Sequence, residues 1–284
     1  MLAWKTTPGH RPSAGAADGV KPPHGFVGPL VAIYGAVVTT DDELERLIDD
    51  LVSSDPDVRD AGAFSEVASM AAGGRLSPDQ AQRLGDVAAM RFEHPEIQAR
   101  AFAPLVLAVL ANIGTTRRSW TDAVIQWYPH ETDLRGYDPQ LGWLHAAAHG
   151  ADALGELGRA RAAKATDLLH TLALRLVNPT KTVFRDQEDD RIAHALALVL
   201  TEERLTAEEA VGWLTPITAL LATAEHGRGV PANVSNTLRT LRSLSIALEH
   251  DVLFDRVSVV VPHAAEVRVA VSVALQPSTA WMWS

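Results

Sequence analysis

The chain has 284 residues and a mass of 30.5 kDa, enough for one or two domains of about 150 residues each. Hydrophobic residues make up 47% and charged residues 21%, which excludes wholesale disorder. Twenty-five basic against 35 acidic residues leave a net charge of −10 and argue against a nucleic-acid partner, while the absence of cysteine removes disulfides, thiol nucleophiles and cysteine-ligated metals.

Residues 1–38 carry Pro8, Gly15, Gly19, Pro22, Pro23, Gly25 and Pro29 with no sustained apolar period, so a flexible N-terminal extension is expected. The apolar run Phe26–Val38 spans 13 residues, too few for a bilayer, which needs about 20. It lies far behind the start and lacks a tidy cleavage site. No signal peptide and no membrane partner are therefore expected, and a cytoplasmic location is.

Between residues 39 and 250 the signals are helical. Thr40–Glu43, Ser77–Gln80 and Thr206–Glu209 read as capping boxes, in which a hydroxyl and an acid or amide satisfy orphan backbone donors at a helix start. Apolar stripes follow at three- and four-residue spacing, as in Leu44, Leu47, Ile48 and Leu51. Pro56, Pro95 and Pro139 lie 39 and 44 residues apart, each behind a polar residue, and Pro179 follows 40 later. A period near 40 with two helices per unit predicts an all-α fold: a HEAT/armadillo-like α-solenoid of paired antiparallel helices. Gly73-Gly74 reads as a helix stop, and Trp120, Trp127 and Trp213 as packing residues. Residues 251–284 form a separate tail. There Val257–Val261 and Val267–Val273 alternate with period two, predicting a short β-hairpin that turns around Pro262–Glu266.

The densest group of polar chemistry runs from His130 to Glu156. If a helix begins after Asp138-Pro139, with Trp143 near its start, then His145, His149 and Asp152 fall at i, i+4 and i+7 on one face. Aligning this helix with the next unit by apolar runs sets His194 opposite His149 and Asp190 opposite His145. His145, His149, Asp152, Asp190 and His194 would then share a concave groove, with Arg100 contributing a cation and Arg135 and Tyr137 closing over a ligand. Three readings stay open. The polar side chains form a structural or ligand-orienting network, they serve as metal-free catalytic groups, or His145, His149, Asp152 and His194 hold a divalent metal cofactor such as zinc, iron or manganese.

Residues 133–154, Asp-Leu-Arg-Gly-Tyr-Asp-Pro through Gly-Trp-Leu-His-Ala-Ala-Ala-His-Gly-Ala-Asp-Ala-Leu, resemble the "RGY…GWxHAxAHGADxL" signature of a bacterial domain-of-unknown-function family. Arg59-Asp60 with Phe64, residues 101–107, Val183-Phe184 with residues 188–191, and residues 238–244 extend the resemblance. It implies an all-helical, HEAT-like fold and no particular activity. The expected function is binding of a small molecule or peptide in a groove lined by His and Asp. The alternative is a metal-dependent hydrolase or oxygenase using His145, His149, Asp152 and His194.

Overall fold

A computed structural model describes residues 39–223, 229–254 and 257–282. The expected N-terminal extension, with its Phe26–Val38 run, lies outside the described residues.

Helices follow one another as the caps require. Helix α1 (Asp41–Asp50) starts where the Thr40 hydroxyl accepts the Glu43 N–H at 3.2 Å, and α3 (Pro78–Met90) opens on a complete Ser77/Gln80 box. Between them a π-helical turn, Asp57–Phe64, runs into α2 (Ser65–Ala72). Gly73 and Gly74 end that helix, with Gly74 at φ 64°, where a side chain would be strained. Helices α4 (Ile97–Asn112), α5 (Arg118–Trp127), α6 (Ala146–Arg159), α7 (Ala165–Val177) and α8 (Glu188–Val199) continue the alternation. After the short α9 (Ala207–Gly212), opened by the Thr206/Glu209 box, come α10 (Thr215–Thr223) and α11 (Ala232–Ala247).

These helices form two layers. One row runs α2, α4, α6, α8, α11, each packed on the next, and the other runs α1, α3, α5, α7, α10. Residues such as Leu44, Val67, Leu110, Leu154, Leu172, Leu196 and Leu241 fill the space between the layers. The expected stack of helix pairs is what forms, because one apolar stripe per helix is buried only when pairs stack. The four prolines have a consistent place: Pro56, Pro95, Pro139 and Pro179 precede the π-helical turn, α4, α6 and α8, all in the first row. Behind Pro139 and Pro179 the connections lengthen, and these longer loops position the candidate site.

The chain's C-terminal part corrects the expected hairpin. Strand β3 (Val252–Phe254) pairs antiparallel with β4 (Val257–Val259), with residues 255–256 between them outside the described residues. Residues 267–273 are helical instead, within α12 (Ala264–Thr279), which packs on α9, α10 and α11 and carries the helical array past residue 250. Val267, Val271 and Ala274 are buried while Val269 and Val273 are exposed. The apolar positions that matter are spaced by four and three, and the alternating valines between them are surface residues. Trp281 is exposed and Trp283 lies outside the described residues. Among the described residues no helix is long and apolar enough to cross a membrane.

Candidate functional site

The loop between α5 and α6 is anchored at Glu131. Its buried carboxylate accepts hydrogen bonds from Arg100 Nε and Nη2 (2.7 and 3.1 Å), the Trp127 indole N–H (2.9 Å) and the backbone N–H groups of Thr132 and Asp133 (2.8 and 2.9 Å). Burial pushes this carboxyl up, but Arg100, the Asp133 N–H and the Trp127 indole together outweigh it and hold it below the usual range. Arg175, also buried, donates to the carbonyls of Tyr128 and Glu131. Arg100 therefore fixes a loop and is not a cation of the expected groove.

Beyond this anchor the chain does not enter a helix at Pro139. Tyr137–Asp138 (β1) and Gly142–Trp143 (β2) pair as a small hairpin, and the helix begins only at Ala146. Trp143 is thus a strand residue, its ring 5.0 Å from Tyr137 and 4.5 Å from His145, centroid to centroid. Arg135 pairs with Asp133 and Asp138 and orders the loop. His145 is the N-cap of α6 in the left-handed region, φ 48° and ψ 34°. Its N–H reaches the carbonyls of Arg135 and Gly136 at 3.2 Å, and its own carbonyl accepts the His149 N–H at 2.8 Å.

Helix α8 begins in the same way. Gln187 is its N-cap at φ 67°, 42 residues after His145. The two helices lie side by side with Arg191 against Asp152 and His194 beside Glu156, which is not the alignment by apolar runs. This register corrects the expected grouping. Asp152 is held by Arg191, with Arg191 Nε 2.8 Å from Asp152 Oδ1 and a second contact from Nη2 to Oδ2. Asp190 faces away and accepts the Ser243 hydroxyl at 2.6 Å. His194 is exposed, beside the Leu253 backbone and Glu156, and does not meet His149.

What the two helix starts do bring together is His145, Asp186 and Glu188. Each offers a ligand-capable atom, and all three atoms lie within 4.8 Å of one another. His145 Nε2 is 3.7 Å from Glu188 Oε1, and both residues are nearly inaccessible, 2% and 1% exposed. Gly136 explains the glycine of the Arg-Gly-Tyr segment: a Cβ there would overlap Asp186 Oδ2 and Glu188 Oε1. The other oxygen, Glu188 Oε2, accepts the Asp186 N–H at 2.9 Å.

The electrostatics of the cluster are unusual for a buried group of charges. Burial, followed by the nearby Arg191 charge, lowers the His145 pKa to about 4, so the imidazole is neutral at physiological pH. His149 is driven well below its ordinary value, chiefly by burial. Its Nδ1 lies 3.0 Å from the Ala101 carbonyl, an acceptor, so Nδ1 carries the proton and Nε2 the lone pair. Burial pushes the Glu188 carboxyl up, and the Asp186 and Asp189 charges add to this against backbone hydrogen bonds. Among the described residues neither Asp186 nor Glu188 forms an ion pair with Lys or Arg, since Arg239 takes Asp189 and Arg191 takes Asp152.

Sequence reasoning thus found His145 and missed its partners. Glu188 and Arg191 did carry a signal, the Glu-Asp-Asp-Arg segment of the family resemblance, but Asp186 sits in a loop with no periodicity to betray it.

Comparisons with known proteins place the chain in context. No curated protein matches it. Two engineered proteins with solved structures are similar at 15% and 16% identity, with TM-scores of 0.39 and 0.41, covering 85% and 82% of this chain and 100% and 97% of theirs. A computationally designed armadillo repeat protein for modular peptide recognition is similar at 13% identity and a TM-score of 0.35, over 83% of this chain and 99% of its own. Residues 90–246, more than half of the chain, match the family described as protein of unknown function, DUF2785, and the chain belongs to that family.

Proposed function

We propose that this helical-repeat protein holds one divalent transition-metal ion between His145, Asp186 and Glu188. The observation that carries the reading is the convergence of three ligand-capable atoms within 4.8 Å. One nitrogen and two carboxylate oxygens suit manganese, ferrous iron or zinc. The His145–Glu188 separation of 3.7 Å fits two ligands of one ion with bonds of about 2.0–2.2 Å. A neutral imidazole is the form that coordinates, and a divalent cation would supply the counter-charge that the two carboxylates do not receive from Lys or Arg.

Three protein ligands leave coordination positions for water, the pattern of a catalytic rather than a closed structural site. The reaction class we favour is metal-assisted hydrolysis. His149 packs beside the proposed ligand, its ring centroid 5.8 Å from that of His145 and its Nδ1 held on the Ala101 carbonyl. A peptide or small-molecule groove lined by His and Asp is the weaker reading, because Asp152 is engaged by Arg191, Asp190 by Ser243, and His194 lies beside Glu156 rather than with the other histidines.

Equilibrium dialysis of protein lacking a His tag against Mn²⁺, Fe²⁺ or Zn²⁺, followed by elemental analysis, tests the proposal. One ion per chain, lost on substituting Asp186→Asn together with Glu188→Gln, is expected. Substoichiometric metal in the unsubstituted protein with all three ions would refute it.

A further inference from the structure

Arg59 lies in the Asp-Pro-Asp-Val-Arg turn of the first helix pair, yet its hydrogen bonds reach far along the chain. Its side chain is fully buried. One guanidinium nitrogen, Nη1, donates to the Ser53 carbonyl at 3.0 Å, within its own turn. The other, Nη2, donates to the Leu141 carbonyl at 2.6 Å and lies 3.5 Å from that of Trp143. Nε is 2.6 Å from Asp60 Oδ1, and the guanidinium carbon sits 4.7 Å from the Phe102 ring centroid. Phe102 in turn meets His149 edge-on at 5.3 Å. Gly142, at φ 72°, presses on the same turn, for a Cβ there would come within 2.7 Å of Pro56 Cβ.

We infer that Arg59 is a positioning residue for the metal site: it clamps β2 onto the first helix pair and so sets where His145, two residues beyond Trp143, enters α6. The inference rests on the proposed metal reading. A planar fork with several donors can bind the Ser53 and Leu141 carbonyls at once, whereas an ammonium is a single point of attachment. The π-helical turn, Asp57–Phe64, places the fork there by widening the helix at Arg59.

Zinc titration against a chromophoric chelator, on the full chain, tests this. Arg59→Met is expected to weaken zinc binding by about tenfold or more, the usual effect of removing a support behind a ligand, and Arg59→Lys to recover part of it. Leu241→Ala, a core truncation in α11, serves as the control for general destabilisation and should leave zinc affinity unchanged. If Arg59→Met does not fold, Gly142→Ala disturbs the same contact from the β2 side and should give the same loss. Unchanged affinity in the clamp variants, or equal losses in Leu241→Ala, would overturn the role of Arg59 while leaving the metal site standing. No binding of zinc, Mn²⁺ or Fe²⁺ by the unsubstituted chain would overturn both.

Discussion

Substituting Glu188→Gln separates the effect of a buried charge from the effect of a ligand, because the two act on stability with opposite signs. The shape is nearly conserved, and the amide oxygen can still accept the Asp186 N–H now bound by Glu188 Oε2 at 2.9 Å. In the metal-free protein the Glu188 pKa is raised above its ordinary 4.5, mainly by burial. The folded state then binds the proton more tightly than the unfolded state. This group's contribution is therefore greatest below pH 4.5 and is lost as pH rises through the raised folded value. Without metal, the variant should match or exceed the parent protein in stability at pH 7, and its stability should fall less steeply above pH 4.5. With metal the order reverses. An ion at about 100 times its dissociation constant stabilises a single-site protein by about 2.7 kcal/mol. At about 2–4 °C per kcal/mol for a domain of this size, that is a rise in Tm of about 5–11 °C. Calorimetry from pH 4 to 8, with and without Mn²⁺ or Zn²⁺, should show that rise in the parent and none in the variant. Equal metal-induced shifts in both proteins would refute the reasoning, as would a metal-free variant much less stable than its parent at pH 7.

Four other substitutions test the site's surroundings and helix α12. Asp152→Asn leaves Arg191 without its carboxylate and should cost about 3 kcal/mol, the lower end for a broken buried pair because Arg191 keeps 22% exposure; the urea midpoint should fall at constant m while metal stoichiometry stays the same. Gly136→Ala drives a methyl group into Asp186 and Glu188, so elemental analysis should find metal occupancy reduced more than helix content by circular dichroism. Val271→Ser should lower stability by about 2 kcal/mol or more by exposing a hydroxyl to the core, whereas Val269→Ser should change it by less than about 0.5 kcal/mol. Equal effects at these two valines, which a strand would place on one face, would contradict the helix α12.

Most of the scaffold was legible because it depends on local rules. Hydroxyl–carboxylate caps, the Gly73-Gly74 stop and prolines near a period of 40 act through the backbone of their own turn, so helix pairs and their order follow directly. The site was only partly legible, since it depends on where two loops stop. His145 reads as an interior helix residue among alanines, yet the hairpin at residues 137–143 delays the helix and makes it an N-cap. With Arg191 set against Asp152, Asp190 and His194 fall outside the cluster, and the loop and first turn of α8 bring Asp186 and Glu188 to His145 instead. The C-terminal valines failed for another reason: alternation of small aliphatics is compatible with a helix whenever every fourth one is buried, and only packing against α9, α10 and α11 decides between the two.

The central claim is that one ion joins the starts of α6 and α8. Its most direct measurement is an anomalous difference map from crystals of the full chain grown with zinc. A single peak about 2.0–2.2 Å from His145 Nε2 and from carboxylate oxygens of Asp186 and Glu188 is predicted. A map without density there, or with zinc only on exposed histidines such as His194, would contradict it.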